Sequence, residues 1–274
     1  LFLKAEFEER EAEASIKGED FDRAAVLYRK ALDLEPTFAL AQAQLVMNRM
    51  QRHWYIDHLS DAELQPIQDQ ADRALQLAPN LPEAHIARGV VYYFGHRQYE
   101  EALAQFAAAI RLRPNNTRAL EFRAYVHRRL GHWKDCLADL KTCLEQDPRS
   151  SNLHAQFAVT YGYLRMWNET RDFAQRALAI NPHEIAAVAE ILNSAISGKG
   201  DVADSWISSG DNKQIAPHEL EKVLTPDQIA FLTEKTGMSR EELLAGLSQQ
   251  LPQVVDTLTP QGRIPHADEL NRAA

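Results

Sequence analysis

The 274-residue sequence predicts an all-α protein in two parts, an array of helical hairpins followed by a small helical bundle. Proline recurs at Pro36, Pro79, Pro114, Pro148 and Pro182, at intervals of 43, 35, 34 and 34 residues, which is the period of a helix-turn-helix repeat carrying one insertion. Ahead of every proline but Pro79 runs a repeated pattern of small and bulky residues at helical spacing, and near residue 198 the texture of the chain changes.

Each repeat follows one grammar. Ala24, Tyr28 and Ala31 precede Pro36 at the offsets that Ala102, Phe106 and Ala109 take before Pro114, with Cys136, Leu140 and Cys143 before Pro148, and Thr170, Ala174 and Ala177 before Pro182. Spacings of four and three put these residues on one helix face, where the small ones let a neighbouring helix approach closely. An aromatic enters each of these second helices, at Phe21, Tyr99, Trp133 or Trp167. The proline stops the helix, because it lacks an amide proton and restricts the residue before it. The second repeat is stretched between its helices by Arg52-His53-Trp54-Tyr55-Ile56-Asp57 and carries Ile67 and Ala71 in its second helix.

These stretches resemble tetratricopeptide repeats, most fully through Ala84, Gly89, Tyr92, Tyr99, Ala102, Phe106, Ala109 and Pro114. The resemblance covers residues 3 to 196 and implies a right-handed superhelix of about five hairpins. Glu184 to Leu192 reads as one further helix without a partner, a cap for the last hairpin.

Ser197-Gly198-Lys199-Gly200 punctuates the chain, so residues 1–197 are expected to form the array and residues 198–274 a separate domain. Short helices are expected at Asp201 to Ser208, at Pro217 to Leu224 and after Thr225-Pro226-Asp227. Ser239-Arg240-Glu241-Glu242 is a capping box preceded by Gly237, and Pro252 is expected to break or kink the last helix. This part resembles the YidB-like family, through Gly200-Asp201-Val202, Ser205-Trp206-Ile207, Leu251-Pro252, Val255-Asp256, Leu258-Thr259-Pro260-Gln261-Gly262 and Ile264-Pro265. The leucine- and glycine-rich lead-in usual for that family is replaced here by the repeat array.

Composition narrows the function classes. The net charge of −9 is spread over both parts, which offers phosphates no basic field and excludes nucleic acid as an expected partner; DNA binding through the C-terminal helices ranks last for that reason. No apolar run approaches bilayer length, and the acidic N-terminal stretch does not read as a secretory signal, so a bacterial cytoplasmic location is expected. Leu1 is not a start methionine, and the sequence reads as a fragment or processed form. Cys136 and Cys143 lie seven residues apart on one helix, about 10 Å between α-carbons, too far for a disulfide, and read as core residues in place of alanine. His53 and His58 point to different faces and meet no further ligand at metal spacing, while His127 and His154 fall on first helices of adjacent repeats in packing roles; no metal or cofactor is expected. Neither a nucleophile elbow nor a phosphate loop is present, so the protein is not expected to be an enzyme.

The tetratricopeptide resemblance implies that the first helix of each hairpin lines a concave groove. Helical periodicity then nominates Glu83, Ile86, Val90 and Tyr93 in the third hairpin, Arg118, Glu121, Tyr125 and Arg128 in the fourth, and Asn152 and Gln156 in the fifth. Mixed aromatic and charged groups of this kind suit a peptide or protein segment, with tyrosine and arginine as anchors. Arrays that clamp the acidic tails of heat-shock chaperones use lysine and asparagine where this chain has Ile86, Val90, Phe122 and Gln156, so that clamp is not expected. The expected function is a non-enzymatic adaptor; the alternative is a regulatory module of a bacterial signalling protein whose output domain lies upstream. The sequence leaves the oligomeric state open.

Overall fold

Helices form where the period places them, because each carries one apolar face and a defined stop. A computed structural model of the chain describes residues 1–15, 17–182, 184, 186–187, 190, 216–221, 224, 226, 229–230, 232–233 and 237–258, and among these every regular element is helical. The chain divides into two units, Leu1–Gln146 and Asp147–Ala274.

In the first unit α1 (Phe2–Ser15) pairs with α2 (Gly18–Leu34), α3 (Ala39–Arg52) with α4 (Asp61–Leu77), α5 (Pro82–Val90) with α6 (Tyr99–Leu112), and α7 (Thr117–Arg129) with α8 (Trp133–Gln146). Each second helix also packs on the next first helix, and α5 packs on both α3 and α7, so the four hairpins stack in register. The small-bulky-small face is the seam: Ala24, Tyr28, Ala102, Phe106, Ala109, Cys136, Leu140 and Cys143 are all buried, and so are Ile67 and Ala71 of the divergent second hairpin. Burial pushes the Cys143 thiol up to about 12, and its Sγ donates to the Thr117 carbonyl at 3.5 Å, as suits an unbridged core residue.

The inserted segment of the second hairpin becomes a π-helical turn, His53–Asp57, continuing α3, and Val91–His96 continues α5 in the same way. His58 (φ 48°), Arg97 (φ 55°) and Gly131 (φ 74°) end the first helices of three hairpins in the left-handed region. After Gly131 the His132 amide bonds to the His127 carbonyl at 2.8 Å, the bond that closes a Schellman turn. Two helices start on side-chain caps: Ser60 and Glu63 form a capping box at α4, and Asn116 Oδ1 accepts from the Ala119 amide at 3.0 Å at the start of α7.

In the second unit α9 (Ser151–Tyr163) packs on α10 (Trp167–Ile180) through Ala155, Ala158, Ala174, Ala177 and Leu178, and Arg165 (φ 58°) turns the chain between them. Of the expected capping helix only residues 184, 186–187 and 190 are described; Ala187 is buried in that same alanine cluster, and Glu184 Oε2 accepts from Ser151 Oγ at 2.8 Å. Downstream, α11 (Pro217–Leu220) and α12 (Arg240–Leu258) enclose Leu220, Leu224, Ile229, Leu243 and Leu244. The capping box is formed, with the Ser239 amide donating to Glu242 Oε2 at 2.8 Å after Gly237 (φ 68°). Pro252 does not break the last helix: α12 continues through it to Leu258, since an internal proline forfeits one hydrogen bond and can be absorbed where the turns on both sides persist. The helix expected at Asp201 to Ser208 and the boundary expected at residues 197–198 lie outside the described residues.

Gly89 is where two helices approach most demandingly, because a Cβ added there would lie 2.8 Å from Cδ1 of the buried Phe106 ring. Gly89→Ala is expected to cost about 1–3 kcal/mol through overpacking, read as a lower urea midpoint with an unchanged helical spectrum.

Candidate functional site

The fourth hairpin presents the expected row most openly. On α7, Arg118, Glu121, Tyr125 and Arg128 are half-buried at helical spacing along one face. The Tyr125 hydroxyl donates to Glu121 Oε2 at 3.3 Å, and the Arg128 guanidinium lies 5.2 Å from the Tyr125 ring centroid, so the row is a charged edge stacked on an aromatic plate.

The third hairpin differs from the sequence expectation. Glu83 is half-buried and accepts from Arg113 Nη1 at 2.6 Å, but Ile86, Val90 and Tyr93 are core residues, with 2%, 0% and 4% of their surface exposed. Ile86 and Val90 belong to the core cluster shared with α3, α4, α6 and α7, and the inserted π-helical turn of the second hairpin adds cover over Tyr93. It sets Trp54 against Tyr93 and Phe94, with ring centroids 5.9 and 4.8 Å apart, and Phe122 of α7 closes on Phe94 at 5.8 Å. Arg129 lies over the outer side of Trp54, 5.6 Å from its ring. Of the four residues expected to line a groove here, only Glu83 keeps appreciable surface.

Asn152 and Gln156 belong to the second unit, on α9, where Gln156 Nε2 donates to Asn152 Oδ1 at 3.3 Å; the expected residues therefore divide between the two units.

Sequence reasoning followed the row only from the third hairpin onward and missed the polar cluster contributed by the first two. Glu13 of α1 pairs with Arg118 of α7 and also accepts from Gln51 Nε2 of α3 at 2.9 Å, joining three first helices. One turn earlier, Glu9 is 5% exposed, and its Oε2 accepts from Asn48 Nδ2 at 2.6 Å. Asn48 also donates to the Phe21 carbonyl at 3.1 Å. Glu9 Oε1 and Gln51 Oε1 are buried without a hydrogen-bond partner. Glu9 with Glu13, four apart on α1, and Asn48 with Gln51, three apart on α3, were the available signal: polar pairs on faces where the repeat grammar calls for contact.

Burial pushes the Glu9 carboxyl up to about 7; the Asn48 hydrogen bond opposes this, the Glu13 charge adds to it and the Arg118 charge opposes it. The inner face near α1 is thus a low-dielectric polar cluster, one of whose carboxyl groups titrates near neutrality.

Residues 184–267 match the family described as YidB-like protein. The uncharacterized protein YidB of Escherichia coli (strain K12) is 29% identical over 68 residues, 24% of this chain and 52% of that one. The Hsp70-Hsp90 organizing protein 3 of Arabidopsis thaliana is 22% identical over 203 residues, 72% of this chain, and the match spans only 35% of that relative's length. Among solved structures, a thermophilic tetratricopeptide (TPR) protein of Thermus thermophilus aligns with a TM-score of 0.57 at 18% identity, covering 69% of this chain and 98% of that one. PilW, a type IV pilus biogenesis factor, aligns with a TM-score of 0.55 at 16% identity, covering 89% of this chain and 98% of that one. The hairpin array has the tetratricopeptide fold, and the C-terminal part carries a YidB-like segment. No helix among the described residues is long and apolar enough to cross a membrane.

Because Glu9 titrates at about 7 when folded and at 4.5 ordinarily, folding takes up a proton between those values. Stability therefore falls as pH rises through that window, by at most about 3 kcal/mol. Glu9→Gln keeps an acceptor for Asn48 and removes the charge. Urea unfolding from pH 5 to pH 7.5 is expected to show a smaller decline for the variant than for the parent chain, with the variant the more stable at pH 7.5; identical profiles would count against this assignment.

Proposed function

We propose that the protein is a non-enzymatic interaction adaptor, which holds an extended or helical segment of another protein against the α7 row of Arg118, Glu121, Tyr125 and Arg128. One observation carries the reading. In the first unit Ile86, Val90 and Tyr93 of the third hairpin's row are buried, while the fourth hairpin keeps its tyrosine and arginines half-buried, each with surface left for a ligand. Tyrosine and arginine in partly desolvated positions are the residue types that dominate protein interfaces. Glu83 and the Glu13–Arg118 pair flank the row with charges of both signs, which favours an amphipathic segment over a uniformly acidic or basic one. Asn152 and Gln156, polar and outward on α9, are proposed as a second contact surface within the other unit.

An organizing role toward Hsp70 and Hsp90 is not carried over from the plant relative. The clamp positions Ile86, Val90 and Phe122 are buried and apolar, so they offer no cation to a terminal carboxylate.

The array is proposed to occupy residues 1–197 and the YidB-like domain residues 198–274. The family match begins at residue 184 and so includes Ala187, which packs in the alanine cluster of α9 and α10.

Peptides selected from a random display library against the full chain provide the probe. Tyr125→Ala and Arg128→Ala are each expected to weaken a selected peptide at least about tenfold, equivalent to about 1.4 kcal/mol, by fluorescence anisotropy. Equal affinity for both variants and the parent would refute the α7 assignment.

A further inference from the structure

The turn of the fourth hairpin gathers chemistry that the groove does not use. His127, in the last turn of α7, His132, in the turn, and Asp135, in the first turn of α8, each bring a ligating atom to within 4.8 Å of the others. The arrangement follows from the backbone. Left-handed Gly131 (φ 74°) reverses the chain and the His132 amide closes on the His127 carbonyl at 2.8 Å, so two imidazoles five positions apart come to 5.6 Å between ring centroids. On a continuous helix that separation would point them to different faces, which is why the His-x4-His-x2-Asp spacing is silent in the sequence.

The site has an anchored and an adaptable side. His127 is half-buried, and its Nδ1 is a buried atom without a hydrogen-bond partner, whereas His132 and Asp135 are exposed. Tetrahedral coordination at about 2.0–2.2 Å from the ion sets donors about 3.4 Å apart, so side-chain rotation of His132 and Asp135 closes the remaining gap. The charges around the site are those of Arg123, Asp139 and Asp135. Arg123 is neutralised by a two-pronged pair with Asp139, at 2.7 and 2.6 Å, and so does not oppose a cation strongly. Burial lowers the His127 pKa, the Asp139 and Asp135 charges oppose this, and the Arg123 and His132 charges add to it.

We propose that His127, His132 and Asp135 form a binding site for a divalent transition-metal ion of the zinc class. Two imidazoles and one carboxylate favour zinc, cobalt or nickel over magnesium or calcium, which prefer all-oxygen shells. Three protein ligands leave a coordination position for water or for a side chain of a bound protein. The ion ties the end of α7 to the start of α8 and so stiffens the hairpin whose α7 row is the proposed docking surface. The site itself does not depend on that docking reading.

The test is a zinc chloride titration of the untagged full chain at pH 7.4, in competition with a chromogenic chelator. One equivalent is expected to bind, at least tenfold more weakly in His132→Ala and in Asp135→Asn, both exposed positions where folding is not at stake. His58→Ala, which disrupts the other close histidine pair (ring centroids 6.5 Å apart), is expected to leave binding unchanged. Magnesium chloride is expected to show no comparable affinity. The proposal is overturned if zinc does not bind, if the His132→Ala and Asp135→Asn variants bind it as tightly as the parent, or if His58→Ala abolishes binding.

Discussion

The close approach of the two helices within each hairpin is the constraint on which the rest of the structure depends. It is made by alternating small and bulky side chains, with Gly89 under the Phe106 ring the tightest instance and Cys136 and Cys143 acting as small residues beside Leu140. Helices that meet at this distance exclude water from a continuous seam, and the area of that seam outweighs what any single pair contributes. Left-handed residues at His58, Arg97 and Gly131 then reverse the chain within a few positions, so that the seam of one hairpin is presented to the next. Two of those three are not glycine and sit in a region that is unfavourable for a side chain by about 1–2 kcal/mol, a cost offset by the packing they permit.

A regular array would expose one row of side chains from every first helix. Here a short insertion changes that outcome locally. The π-helical turn after α3 swings Trp54 over Tyr93 and Phe94, and so adds cover over the end of the third hairpin's row. The polar cluster of Glu9, Glu13, Asn48, Gln51 and Arg118 lies on the same set of first helices, held by charge-assisted hydrogen bonds instead of apolar contact. Arg118 links this cluster to the α7 row, whose Tyr125 and Arg128 remain half-buried.

The second unit joins α9 to α10 in two ways: Ala155, Ala158, Ala174 and Ala177 pack closely, and Phe157 of α9 stacks on Phe173 of α10 at 4.7 Å between ring centroids. Ala187 extends the alanine cluster into the segment where the YidB-like match begins. Gly162 is a further close approach, since a Cβ there would press on the Glu190 carboxylate, 3.3 Å from its Cδ. The leucine and isoleucine cluster of α11 and α12 is a separate small core with its own caps.

The sequence by itself did not determine the run of the last helix through Pro252. It did determine the paired helices of the array and the proline stops of their second helices, the capping box at Ser239 and the left-handed Gly237. All of these follow from forces acting within about one helical turn, or from a proline or glycine that leaves the backbone little choice. Tertiary structure alone decided which inner residues reach solvent. Ile86, Val90 and Tyr93 take the same repeat positions as Glu121, Tyr125 and Arg128, yet only the second set keeps its surface; Tyr93 is covered by Trp54, 39 residues earlier in the chain, and Ile86 and Val90 are buried in the core cluster. The pairing of Glu13 with Arg118, 105 positions apart, and the meeting of His127, His132 and Asp135 across a turn were likewise invisible to periodicity, which measures position along one helix and holds no information about the helix packed beside it.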